Sequence, residues 1–354
     1  MWKELHNALL WVMSLGAIAC FLTGWPHSAP GQNANAQGVA HGERGVTFRG
    51  ANGVKLAGTL LIPVHKPDTK VPGVIIVAGS GPTDRNGNQA DLTTNLLRQI
   101  AELLAQEGIA SLRYDKRWVG ASEGPKDKQS LPTFTARESY VGDAAAALSY
   151  LQDQADIDAS RTAMVGHSEG GMLILQATVE RQGFPEPPAA LVLVSTPGRR
   201  LDIVVRGQVA RNFFLLVPKN DEIMTAIKET GEVPDDVPSL LAPLYPAYSG
   251  RFLQSALKFE GAAWASRFPG PVLVLSGEKD VNHVVAKETS ALAEGLKKRQ
   301  PDDHEVFIVP GASHNLKPVK IGFLDPGIAG EMAPEAAAKL RSWIGKTLRS
   351  ASKE

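Results

Sequence analysis

Gly166-His167-Ser168-Glu169-Gly170 sets a serine between two glycines at the spacing G-x-S-x-G. A serine hydroxyl is a poor nucleophile at neutral pH; it attacks a carbonyl only when a base takes its proton and an acid orients that base. Further along the chain, Ser276-Gly277-Glu278-Lys279-Asp280 offers the acid and Pro310-Gly311-Ala312-Ser313-His314 offers the base. The order serine, acid, histidine is the one that accompanies a G-x-S-x-G turn between a strand and a helix. Glu278 competes with Asp280, but Asp280 lies further into its loop and has the shorter side chain suited to fixing an imidazole. The expected catalytic residues are therefore Ser168, Asp280 and His314. His167, His283 and His304 lack an equivalent placement and are read as structural or exposed.

Acyl transfer also needs two backbone N–H groups aimed at the carbonyl oxygen as it becomes charged. One is expected from Glu169, directly after the nucleophile. The other is expected from Gly79-Ser80-Gly81-Pro82, where small residues let backbone approach a substrate; Ser80 is the first choice and Gly81 the second. The competing reading of this stretch is a plain glycine turn after a strand.

These residues need elements to position them. Val71 to Ala78 is a continuous apolar run ending at Gly79, the pattern of a strand buried on both faces. Strand and helix signals then alternate: helix 92–106, strand 109–114, helix 137–152, strand 162–166, helix 170–180, strand 190–195. The alternation resumes with strand 272–276, helix 284–296, strand 304–309 and helix 334–348. Such a series predicts a mostly parallel sheet with helices on both faces. Each candidate residue then falls just after a strand, at one edge of the sheet. Ahead of the series, 46–49 and 55–62 flank Gly50-Ala51-Asn52-Gly53 and predict an antiparallel hairpin. Between the two series, residues 198–268 change character. Leu201, Val204, Val205, Val209, Phe213 and Leu216 repeat at helical spacing, and Pro234, Pro238, Pro243 and Pro246 follow, which predicts a helical insertion over the sheet.

Composition excludes several classes. With 354 residues, 43% of them hydrophobic, the chain can bury a large core. Lys plus Arg and Asp plus Glu are 37 each, so no nucleic-acid partner is expected. The basic cluster Lys297, Lys298 and Arg299 suits the end of a helix, where cations meet the macrodipole. Ala8 to Leu22 is an apolar stretch preceded by Lys3 and followed by Ala34-Asn35-Ala36, the pattern of an export signal cleaved after Ala36. A secreted or periplasmic location follows, with an uncleaved anchor over residues 8–25 as the alternative and no membrane span in the mature chain. Cys20 is the only cysteine, so cleavage would leave no thiol for disulfides or metal ligation. Residues 37–45 read as a linker, 46–197 and 269–349 as the two parts of the core. Oligomeric state is not legible.

With these motifs in place, the sequence resembles the α/β-hydrolase superfamily, within it the serine esterases and peptidase-like hydrolases related to dienelactone hydrolases and serine aminopeptidases. The resemblance covers residues 46 to 349. It is carried by Gly79 to Gly87, by Arg113-Tyr114-Asp115-Lys116-Arg117 with Gly120 and Ser122, and by the three motifs above. It implies an α/β-hydrolase fold, a cap made by residues 198–268, and loop-ordering rather than catalytic roles for Asp84, Arg85 and Asp115. Trp118 stands where relatives usually carry glycine, which would put a ring near the pocket. Relatives often have His-Gly where this chain has Ala78-Gly79, which leaves the backbone role intact.

The expected activity is hydrolysis of a small carboxylic ester through an acyl-enzyme. The alternatives are peptide, amide or thioester substrates on the same site, and a non-catalytic binding protein. The last would ordinarily have lost a catalytic residue, and none is lost here. No metal or organic cofactor is implied.

Overall fold

The computed structural model describes residues 42–90, 92–124, 134–180, 184–281, 285–299, 303–320 and 327–350. The segment expected to be an export signal, Cys20 and His283 lie outside the described residues. Eight strands form one sheet in the order β1-β2-β4-β3-β5-β6-β7-β8. β1 (Gly42–Arg49) and β2 (Lys55–Ile62) pair antiparallel, and β2 runs antiparallel to β4 (Ala110–Tyr114). From β4 onward all pairs are parallel, through β3 (Val71–Val77), β5 (Ile157–His167), β6 (Ala190–Val194), β7 (Val272–Gly277) and β8 (His304–Val309).

Period-2 alternation in the central strands feeds two cores. Ile75, Val77, Met164, Leu191, Leu193, Val272 and Val274 face one side, with α2 (Gly142–Gln152), α3 (Glu169–Val179) and α8 (Val285–Leu296) packed on it. Val74, Ile76, Val165, Val192, Val194, Leu273 and Leu275 face the other, covered by α1 (Leu96–Gln106) and α9 (Pro334–Ser350). Most of these side chains are wholly buried, each contributing about 1.5–3 kcal/mol of apolar transfer.

The sequence expectations hold with informative shifts at the ends. β1 begins at Gly42, four residues ahead of Val46, paired in register with Ile62. β5 begins at Ile157 rather than Thr162, because Ile157 pairs with Val71 before the register shifts at Gly73. The polar run Asp158 to Arg161 hides that start from a hydrophobic reading. α1 begins at Leu96, not 92, because Asn88 Oδ1 accepts the N–H groups of Thr94 and Asn95 at 2.9 and 2.8 Å, a local capture that competes with helix. The helix expected from 137 opens as a π-helical turn, Ala136–Val141, capped where Thr135 Oγ1 accepts the Glu138 N–H.

Between β6 and β7 the chain forms α4 (Leu201–Asn212), α5 (Val217–Thr230), α6 (Gly250–Ala256) and α7 (Gly261–Ala265). Val209, Ile223, Met224, Ile227, Leu241, Leu244 and Leu257 give this segment a small core of its own. Leu201 and Leu253 pack against both that core and the main one. Its start is tied to α8. Glu288 Oε2 accepts the N–H groups of Gly198 and Arg199, and its Oε1 takes the Arg199 guanidinium.

Candidate active site

Every candidate residue lies at the carboxyl edge of the parallel strands. β5 delivers the elbow: Ser168 directly follows His167, the last residue of the strand, and α3 starts at Glu169. Ser168 adopts φ 54° and ψ −119°, a region that costs about 1–3 kcal/mol for a residue with a side chain. Its N–H is held by the Val194 carbonyl at 2.8 Å, and its carbonyl accepts the Gly171 N–H at 3.0 Å. The flanking glycines are needed for space. A Cβ on Gly166 would lie 2.5 Å from the Gly170 backbone, and one on Gly170 would lie 2.2 Å from the Val77 carbonyl oxygen. The turn closes only where both neighbours lack side chains.

The acid and the histidine follow β7 and β8. The two loops are laced together: Glu278 N–H donates to the Val309 carbonyl and Lys279 N–H to that of Ala312, at 2.9 and 2.7 Å. His314 Nδ1 lies 2.7 Å from Asp280 Oδ2, with the Asp280 side chain sealed from solvent. Glu278 instead accepts the Gly311 N–H at 2.8 Å and faces Lys279 at the surface, which holds its carboxyl below the usual range. The His314 carbonyl takes the Ser195 hydroxyl at 2.9 Å and sits 3.1 Å from His167 Nε2. The His167 and His314 rings lie 4.8 Å apart, which sets the imidazole of His314 beside the elbow. His167, read from sequence as structural, thus acts as a support for the histidine loop.

The turn after β3 lies against the elbow, since a Cβ on Gly79 would come within 3.3 Å of Ser168 Cβ. The Ser80 carbonyl is fixed by Thr83 Oγ1 at 2.8 Å and Gln89 Nε2 at 3.0 Å. Asp84 Oδ1 accepts the N–H groups of Asn86 and Asn88. Arg85 grips Asp115 through Nε at 3.0 Å and Nη2 at 2.5 Å, and the Arg85 backbone N–H donates to the same carboxylate. These residues order the loop, as the resemblance implies.

An apolar pocket opens from Ser80 and Glu169 toward the α4–α6 segment, where Tyr140, Leu244, Tyr248 and Phe252 are among the residues that line it. Trp118 does not line it. Its ring meets the edge of Phe134 at 5.1 Å, and Phe134 does the lining. Trp118 has φ 61°, a left-handed backbone for which glycine is the undemanding choice. Sequence reasoning missed Tyr140, Ser195 and Lys116. The last was quoted as part of the strand-end motif and given no role, although a lysine between an aspartate and an arginine at a buried strand end was the available signal. Among the described residues no group of His, Cys, Asp and Glu could hold a metal ion, and no helix is long and apolar enough to cross a membrane.

A mostly parallel sheet carrying a strained serine turn after β5, with an acid–histidine pair in the loops after β7 and β8, is the frame of an elbow-type hydrolase. The model of the alpha/beta hydrolase family matches residues 74–325, and the chain belongs to that family. Solved structures similar to it include an esterase of Pyrococcus furiosus, at TM-score 0.55 and 16% identity over 94% of this chain and 100% of that one. Another is Est1E of Butyrivibrio proteoclasticus with bound ferulic acid, at 0.54 and 17% over 87% and 100%. A third is a dienelactone hydrolase-like promiscuous phosphotriesterase from metagenomic libraries, at 0.52 and 17% over 88% and 99%. Two curated Mycobacterium tuberculosis sequences, both uncharacterized proteins, are 34% identical over 119 residues, and the match spans 37% of their length.

Proposed function

We propose that this chain is an exported serine hydrolase of carboxylic esters. Ser168 Oγ attacks the ester carbonyl carbon while His314 Nε2 takes its proton, and Asp280 holds the imidazole through Nδ1–H and stabilises the imidazolium. The oxygen of the tetrahedral intermediate is received by the N–H groups of Ser80 and Glu169, helped by the N-terminus of α3. Collapse expels the alcohol, which leaves with the proton held on His314. Water then repeats the sequence on the acyl-Ser168 ester and releases the acid. The observation that carries the reading is the 2.7 Å contact between His314 and buried Asp280, placed beside a serine in a strained elbow.

Residues 198–268 serve as the cap, and the apolar pocket they share with Ser80 and Glu169 suits an apolar or aromatic acyl group. The ferulic acid in one structural neighbour is consistent with that choice. Export rests on the N-terminal pattern, and mass spectrometry of the mature N-terminus tests it. The chemistry is tested with a fluorophosphonate probe and p-nitrophenyl esters of graded acyl length. Labelling and ester turnover, both lost in Ser168→Ala, are expected; labelling unchanged in that variant would sink the assignment. Turnover of peptide or thioester substrates in place of oxygen esters would redirect it.

A further inference from the structure

Lys116 follows the end of β4 and is buried, 4% exposed. A buried ammonium needs partners for its charge and its three donors. Its partners converge on one place. Nζ donates to the Gly79 carbonyl at 3.1 Å and to Glu169 Oε2 at 2.6 Å, and it stands 4.4 Å from the centre of the Tyr140 ring, a cation–π distance. Gly79 and Glu169 belong to the two turns that the proposed mechanism uses to bind the oxyanion, and Tyr140 lines the pocket beside them.

The geometry of a trans peptide gives the first contact its meaning. The Gly79 carbonyl and the Ser80 N–H belong to one planar unit and point in opposite directions. Holding the oxygen at Lys116 therefore turns the Ser80 N–H the other way, and a cation on the oxygen also polarises that N–H into a better donor. The next carbonyl, that of Ser80, is already fixed by Thr83 and Gln89, so Ser80 is held from both sides. Glu169, the bearer of the second N–H, is held by its own carboxylate to the same ammonium. Among the described residues no hydrogen bond engages either N–H.

We propose that Lys116 is a positioning residue of the oxyanion site, aligning the Ser80 and Glu169 N–H groups through its contacts to the Gly79 carbonyl and the Glu169 carboxylate. The proposal rests on the reading of those two N–H groups given above. Its rival is a buried ion pair whose only task is to neutralise Glu169.

The test compares wild type, Lys116→Met and the double variant Lys116→Met/Glu169→Gln, which removes the stranded carboxylate. Measurements are kcat and KM on a p-nitrophenyl ester, the inhibition constant of an alkyl boronic acid that forms a tetrahedral adduct on Ser168, and the thermal midpoint. Losing one oxyanion donor costs about 100- to 1,000-fold in kcat, and misaligning donors should cost roughly 10- to 100-fold. The expected result is that fall in kcat with KM changed less than about threefold, and boronate affinity weakened by a similar factor. In the double variant the thermal midpoint should recover while kcat stays low, so the measurement stands even where Lys116→Met folds poorly. A double variant that folds and regains wild-type kcat and boronate affinity would overturn the proposal in favour of the rival. A wild type that neither reacts with fluorophosphonate nor turns over esters would overturn the hydrolase reading itself, and this proposal with it.

Discussion

Asp280 Oδ2 and His314 Nδ1 are 2.7 Å apart, and the Asp280 side chain has no solvent exposure while Glu278, two residues away, is half exposed. The pairing separates two carboxylates that the sequence presents side by side. Asp280→Asn should lower kcat by roughly 1,000- to 10,000-fold, since an amide favours the wrong imidazole tautomer and cannot stabilise the imidazolium. Glu278→Gln keeps an acceptor for the Gly311 N–H and should leave kcat within about threefold. Steady-state kinetics on one ester substrate checks both, and a reversed ranking would reassign the acid.

The elbow makes a prediction about stability rather than chemistry. A Cβ on Gly170 would sit 2.2 Å from the Val77 carbonyl oxygen, with backbone on every near side. Gly170→Ala should therefore cost ~3 kcal/mol or more, at or above the top of the usual range for overpacked sites because the clash is with backbone that cannot move aside. Gly207 lies within α4 and has nothing within 4 Å of an added Cβ. Gly207→Ala should stabilise by about 0.5–1 kcal/mol through helix propensity and unfolded-state entropy. Thermal or denaturant unfolding of the two variants gives opposite signs if the steric account holds.

The parts of this fold legible in the sequence are those set by local patterns. The buried strands showed as apolar runs, and the elbow showed as a G-x-S-x-G turn between a strand and a helix. What escaped depends on contacts between distant segments. The early start of β5 depends on Ile157 meeting Val71, across a polar run that reads as loop. The late start of α1 depends on one asparagine capturing two backbone N–H groups. Lys116 gains a role only when the ends of β3, β4 and β5 are brought together, and no spacing rule in the chain announces that. Trp118 shows the opposite case. Its departure from glycine is visible in the sequence, but its direction, behind Phe134 rather than into the pocket, is set by packing.

Substrate size should respond to the wall of the pocket. Ala256 lines it from the end of α6, near Tyr140 and Phe252 in the same lining. Ala256→Leu adds a branched chain to that wall and should discriminate against long acyl groups. The kcat/KM ratio of an octanoyl to an acetyl ester is expected to fall by about tenfold, the order that one or two methylenes carry in a fitted apolar site. The acetyl ester should change little. An unchanged chain-length profile would place the acyl group elsewhere.

Lys317, three residues past His314, offers a pH test. Its side chain is buried, and Nζ donates to the Gly330 carbonyl at 2.7 Å and to Gln99 Oε1. Burial pushes its pKa down to about 8, against a small opposing effect of Glu331. The folded state therefore releases this proton more readily than the unfolded chain, whose lysine titrates near 10.5. Below pH ~8 both states hold the proton and this group adds no slope. Between about pH 8 and 10.5 the unfolded state binds more protons, so stability rises with pH there. From pH 7.5 to 9.5 the contribution of Lys317 should be about +2 kcal/mol. Other groups titrate in this window, so the observable is the difference between wild type and Lys317→Met in denaturant midpoints at the two pH values. The variant should lack the rise. Parallel profiles would mean that the ammonium is stabilised in place, with the Gln99 and Gly330 oxygens offsetting the cost of taking it out of water.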